Sequence, residues 1–135
     1  MIDHVSLGVR DIKASTAFYK ALLEPLGYHA LVERDRAVAF GKRYPEIWIN
    51  ARPELKASDE DAGTHVCLRA RTEDAVRAFH AAALEHGGRC DGEPGPREAA
   101  FTTYFAAFIR DPDDNKIEAA SFPEIPAGGF AAPGS

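Results

Sequence analysis

Residues 4–10 read HVSLGVR and residues 65–71 read HVCLRAR. In both, apolar side chains alternate with polar or small ones: Val5, Leu7 and Val9, then Val66, Leu68 and Ala70. A period of two predicts strands with one buried face. Each strand runs into a segment of helical spacing. Ala14, Ala17, Phe18, Ala21 and Leu22 recur every three or four residues, as do Ala75, Phe79, Ala82 and Ala83, which predicts two helices with those residues inward. Asp11 and Thr72 precede them as N-caps, and Gly27 and Gly88 stop them. A shift of 61 residues lays His4 on His65, Arg10 on Arg71, Phe18 on Phe79, Leu23 on Leu84 and Gly27 on Gly88. The chain therefore writes one unit twice: strand, cap, helix, glycine stop.

Three further strands complete each unit. HALVERD, AVAFGK and EIWINA serve the first; GRCDGEP, TTYFAAFIRD and NKIEAASF serve the second. RDPDDN, residues 110–115, is a turn, because proline and Asp/Asn favour tight reversals. The second unit is longer by about ten residues, and the Gly/Pro-rich DGEPGPREAA is expected to hold them as a loop. Each half is thus βαβββ. The fold class is α+β: two tandem modules, about 1–52 and 62–122, in one domain spanning 1–122, with their strands forming a curved mixed sheet around a cleft. The Pro/Gly/Ala-rich tail 123–135 is expected to be flexible.

Alternation sets the candidate chemistry. With Val5, Leu7 and Val9 toward the helix, His4, Ser6, Gly8 and Arg10 face away from it. His65, Cys67, Arg69 and Arg71 do the same in the second unit. Glu46, Trp48 and Asn50 of EIWIN, and Glu118 of the last strand, fall on the same side. Two imidazoles and two carboxylates thereby share the face that the helices leave uncovered.

Composition narrows the function classes. The hydrophobic fraction of 45% and charged fraction of 27% belong to a globular domain. The formal net charge is −5, without a basic stripe, which argues against nucleic acid. No apolar run reaches the ~20 residues that cross a membrane. MIDHVSLGV lacks a basic, apolar leader, so a cytoplasmic location is expected. Cys67 and Cys90 form no CxxC pair and read as two reduced thiols.

The paired units, with histidine heading the first and fifth strands and glutamate on the last, resemble the vicinal oxygen chelate superfamily. That group includes glyoxalase I, fosfomycin and bleomycin resistance proteins, methylmalonyl-CoA epimerase and extradiol dioxygenases. DHVSLGVRDIKASTAFYKALLEPLGY, GTHVCLRA and FIRDPDDNKIEAAS carry the likeness. The last is similar to the family's Asp-Pro-Asp-Gly-Asn turn before an Ile-Glu strand, with Asp114 in place of the glycine. The resemblance implies a cleft holding a divalent metal (Zn, Ni, Fe, Mn or Co) on His4, His65 and Glu118. Glu46 matches a fourth ligand position, and a buried Glu46 would need that cation. It also implies a small-molecule substrate and a homodimer, with the cleft in one chain or shared between two.

Three activities follow from the resemblance, in order of preference. The first is a metal-dependent lyase or isomerase of glyoxalase I type, with Glu118 or Glu46 as the proton-transferring base. The second is an Fe(II) extradiol-type dioxygenase on His4, His65 and Glu118. The third is a drug-resistance protein that binds a small molecule without catalysis. Arg69 either anchors an anionic substrate group or pairs with a cleft glutamate. Trp48 is expected as an apolar wall of the cleft, and Tyr104 as a hydrogen-bond donor to substrate or a core residue. His29, His80 and His86 are read as structural or surface.

Overall fold

The computed structural model describes residues 1–56, 60–100 and 102–123; residues 124–135, most of the tail, lie outside them. In the first half, β1 (Val5–Val9) leads to α1 (Ile12–Leu23), a 3-10 turn (Glu24–Leu26), β2 (His29–Glu33), β3 (Ala37–Gly41) and β4 (Ile47–Ala51). In the second, β5 (Val66–Arg69) leads to α2 (Glu73–Glu85), β6 (Arg89–Glu98), β7 (Thr103–Arg110) and β8 (Lys116–Ser121). Each half is βαβββ, and the strands form two four-stranded mixed sheets ordered β1-β4-β3-β2 and β5-β8-β7-β6. The parallel pairs are β1 with β4 and β5 with β8. No helix is long and apolar enough to cross a membrane among the described residues.

The helices start where the sequence predicts. The Asp11 side chain accepts from the Lys13 and Ala14 N–H groups, and Thr72 accepts from Ala75, which satisfies donors that a first turn leaves open. Their buried faces are rotated from the expected ones. Ala14 and Ala17 are exposed, while Ser15, Phe18, Tyr19, Leu22 and Leu23 are buried. In α2 the buried face is Val76, Phe79, His80 and Ala83. Polar atoms on the inner face of α1 find partners in the other module. Tyr19 donates to Asp111 Oδ2 at 2.6 Å, and Ser15 donates to Asp113 Oδ2 at 3.5 Å.

The Asp111–Asn115 turn forms as predicted, with Asp114 at φ 67°. It also joins the modules: Arg10 Nε donates to Asp113 Oδ1 at 2.7 Å, and Asn115 Nδ2 donates to the Gly8 carbonyl at 3.0 Å. One apolar core runs through both halves, including Phe18, Tyr19, Phe40 and Ile49 with Val76, Phe79, Ile109 and Ile117.

Two more expectations change. The stretch DGEPGPREAA is not a free loop; residues through Glu98 belong to β6, whose pairing with β7 shifts register between Cys90 and Gly92 and again before Gly95. β6 is an edge strand, where Pro94 and Pro96 are tolerated and bulges absorb extra residues. The glycine stops are also one residue out of phase. Gly27 has φ 81°, but in the second unit Gly87 takes the left-handed position, at φ 98°. Gly88 is needed for room instead: a Cβ there would lie 2.9 Å from the Ala83 and Arg110 carbonyl oxygens.

Candidate metal centre

β5 begins one residue after His65 and runs parallel to β8, so that Cys67 stands opposite Glu118. His65 Nε2 lies 2.9 Å from Glu118 Oε1, with side-chain exposures of 39% and 5%. The His65 ring stands edge-on to Phe108, centroids 5.5 Å apart. Glu118 Oε2 is buried and has no hydrogen-bond partner. Buried polar oxygens are nearly always paired, so an unpartnered carboxylate oxygen beside an imidazole nitrogen is a donor pair that a cation could use. A neutral imidazole and a carboxylate suit a divalent first-row metal.

Two more polar groups surround Glu118. Burial first, then the Glu118 charge, pushes the Cys67 thiol up to about 12. Tyr104 is raised by burial and then by the same carboxylate. Both approach Glu118, yet neither satisfies Oε2. Tyr104 lies on the cleft face, since it alternates in phase with Ala106 and Phe108, which pair with Ala120 and Glu118.

The other predicted ligands reach the same cavity but not the same point. His4, Glu46, His65, Cys67 and Arg69 all line a cavity of about 370 Å³, with Tyr28. Among the described residues, the donor atoms of His4, Glu46, His65 and Glu118 do not gather within 4.8 Å of one another. His4 Nδ1 lies 2.7 Å from Asp3 Oδ1. This contact, then the Tyr44 hydroxyl, holds the exposed Asp3 carboxyl below its usual range.

Glu46 is not the buried carboxylate that alternation suggested. It precedes β4 and is exposed. Val5 pairs with Ile47 and Val66 with Ile117, so the counterpart of Glu118 in the first sheet is Trp48, and that of Glu46 is Lys116. Alternation gave the face correctly, but the position along the strand differs by two residues. Solvated at a strand end, Glu46 needs no cation; it raises the Tyr28 hydroxyl's pKa, second to burial. Trp48 is half-buried between Ser6 and Ala39 on neighbouring strands and lies outside the cavity.

Arg69 makes no ion pair among the described residues. Its guanidinium lies over the Phe122 ring, 4.8 Å from the centroid, and Tyr104 stacks on the same ring at 4.8 Å and 16°. Phe122 therefore organises both predicted substrate residues, and sequence reasoning missed it. The available signal was its place just past β8, on the face alternate to Ser121. His29 and His86 are exposed, and His86 Nδ1 donates to the Ala82 carbonyl, 2.9 Å away. His80, in contrast, is buried.

A family model for the Glyoxalase/Bleomycin resistance protein/Dioxygenase superfamily matches residues 1–119. Among solved structures, a glyoxalase/bleomycin resistance protein from Albidiferax ferrireducens T118 is 32% identical. The match covers 88% of this chain and 97% of that one, with a TM-score of 0.78. The fosfomycin resistance protein FosX from Mesorhizobium loti is 15% identical over 91% of this chain and 92% of its own, with a TM-score of 0.65. A glyoxalase-related enzyme from Fulvimarina pelagi is 17% identical over 98% and 97%, with a TM-score of 0.69. The last two likenesses concern the fold alone.

Proposed function

This chain belongs to the glyoxalase/bleomycin resistance protein/dioxygenase superfamily, and on that premise we propose that it is a divalent-metal-dependent lyase or isomerase of glyoxalase I type. Its substrate is a small molecule with vicinal oxygens. The observation that carries this reading is the orphaned Glu118 Oε2 beside His65 Nε2. His65 and Glu118 hold the metal and His4 joins them as third ligand. Because His4 stands apart from the pair within one chain, the reading includes a homodimer in which a second copy can supply it. When bound, the metal acts as a Lewis acid on the substrate oxygens.

The remaining roles belong to the chain. Glu46, exposed at the cavity rim and free of ligation by register, takes and returns the substrate proton. Arg69, held over the Phe122 ring, binds an anionic group through its guanidinium. Tyr104, stacked on the same ring, donates a hydrogen bond. Trp48, outside the cavity, takes no part in this reading.

A second reading draws on Trp48. With tryptophan at the counterpart of Glu118, the set is three ligands, which leaves three open positions of the kind Fe(II) oxygenases need. Two measurements separate the readings. Protein purified without chelator is assayed for metal content, beside His65→Asn and Glu118→Gln. Proton exchange from D2O into α-hydroxycarbonyl compounds is then followed by NMR, alongside oxygen uptake on catechols. Metal loss in both variants, with metal-dependent exchange and no oxygen uptake, is the expected outcome. Unchanged metal content in both variants overturns the site; oxygen uptake favours the dioxygenase.

A further inference from the structure

His80 occupies the α2 position that Tyr19 occupies in α1, on the buried face of its helix. The Tyr19 hydroxyl has Asp111 as partner. His80 is only 5% exposed, yet its Nε2 is buried with no hydrogen-bond partner. That nitrogen points toward β6, where Glu93 Oε2 lies 4.0 Å away. The Cys90 thiol donates to the other oxygen, Glu93 Oε1, at 3.3 Å. The donor atoms of His80, Cys90 and Glu93 all lie within 4.8 Å of one another.

The bulge in β6 builds this group. Cys90 pairs with Ile109, a core residue on the helix side of the sheet, whereas Gly92 pairs with Phe108 on the cleft side. Directly paired residues share a face, so one extra residue has reversed the phase between 90 and 92. Glu93 consequently returns to the helix side beside Cys90, although an odd separation in a regular strand would part them. Arg97 pins the bulge by donating to the Glu93 backbone carbonyl at 2.6 Å rather than to its carboxylate. The group thus sits on the opposite side of the second sheet from His65 and Glu118.

We propose that His80, Cys90 and Glu93 form a second metal centre, distinct from the cleft, that binds Zn2+ through one nitrogen, one sulfur and one oxygen, with water in the fourth position. The mixed donor set suits zinc better than the hard cations, which take oxygen alone. Tetrahedral zinc places sulfur and oxygen about 3.5 Å apart, and nitrogen and oxygen about 3.3 Å apart. Here the sulfur lies 3.3 Å from Glu93 Oε1 and the His80 nitrogen lies 4.0 Å from Glu93 Oε2. One carboxylate oxygen must turn to serve both the sulfur and the nitrogen, and Glu93, 77% exposed along its side chain, is free to do so. On binding, the Cys90 thiol proton passes to solvent, and thiolate and carboxylate together balance the dication. The exposed Cys90 and Glu93 give the ion an entry path.

The test uses the full chain, stripped with chelator and titrated with Co2+ as a spectroscopic probe, then with Zn2+. The expected result is a near-ultraviolet thiolate-to-cobalt band that Zn2+ abolishes. Cys90→Ser should lose the band and Cys67→Ser should keep it, although Cys67 lies near the cleft pair. Glu93→Gln should weaken Zn2+ binding by about tenfold or more, since even outer partners of ligands are worth that much. Cys90 and Glu93 are exposed, so these variants keep the fold, as far-ultraviolet circular dichroism will check. Zn2+ must also move the His80 Nε2 resonance in the unmutated protein. No cobalt–thiolate band, a band that survives Cys90→Ser or vanishes in Cys67→Ser, or an unmoved His80 resonance overturns the proposal.

Discussion

Replacing Glu118 by glutamine in the metal-free protein should raise its stability while removing its response to metal. The side chain is 5% exposed, and one oxygen faces His65 at 2.9 Å. The other is buried without a partner. Such a group costs about 1–3 kcal/mol, and more when charged. Glutamine keeps the shape and the oxygen that faces His65. It places an unpaired but neutral amide where the unpaired charged oxygen stood. The charged part of the penalty is recovered, and the charge-assisted contact to His65 is weakened. The balance is a gain of about 1 kcal/mol, or roughly 3–5 °C in Tm for a domain of this size. The assay is thermal and urea unfolding of chelator-treated protein, repeated with each divalent metal. A metal at a hundred times its Kd adds about 2.7 kcal/mol to the unmutated protein and nothing through this site to the variant. The order of stability therefore inverts on adding metal. A metal-free variant less stable by more than about 1 kcal/mol, or one stabilised by metal as much as the parent, would refute the reasoning.

Two further outcomes test the frame. Tyr19→Phe removes the 2.6 Å bond to buried Asp111 and should destabilise by about 1.5–3 kcal/mol at pH 7, the range for hydrogen bonds to charged groups. Burial raises the Asp111 pKa despite its hydrogen bonds, of which Tyr19's is the leading one that lowers it. Losing that bond raises it further, so the folded variant holds the proton to higher pH than the folded parent. Its deficit therefore grows as pH rises through the Asp111 range and shrinks toward acid; urea melts at pH 4 and 7 should show this, and an equal or larger deficit at pH 4 would contradict it. Gly88→Ala forces a Cβ to within 2.9 Å of two carbonyl oxygens and Phe18, at about 1–3 kcal/mol. Gly87→Ala, with φ 98° and open space around it, should cost about 1 kcal/mol; equal melting temperatures for the two variants would remove the packing argument.

Local rules made much of this molecule legible in its sequence. The caps at Asp11 and Thr72, the strand heads at His4 and His65, and the turn at Asp114 each depend on residues within a few positions of one another. What escaped depends on distant partners. Ser15 and Tyr19 are buried because Asp113 and Asp111 arrive from the other module, and no periodicity of α1 announces them, so Ala14 and Ala17 looked the better inward residues. Pro94 and Pro96 suggest a loop until β6 is known to be an edge. Alternation placed Glu46 on the right face, but only the pairing of β4 with β1 shows that Trp48 holds the position matching Glu118. Phe122 acquires a role only when β7 brings Tyr104 and β5 brings Arg69 against its ring.

The bridge from Asp111–Asn115 to the first module runs in one direction. Asn115 caps the Gly8 carbonyl on the open edge of β1, Asp113 holds Arg10, and Asp111 holds Tyr19. The matching turn of the first module keeps to its own half, where the Tyr44 hydroxyl donates to Asp3 at 3.1 Å. Two modules of one pattern thus act as a key and its lock. Two second modules in tandem would bring two clasps, but the residue waiting at Tyr19's place would be His80, which has no hydroxyl to offer. The halves are no longer interchangeable, and neither inherits the other's ability to close the molecule.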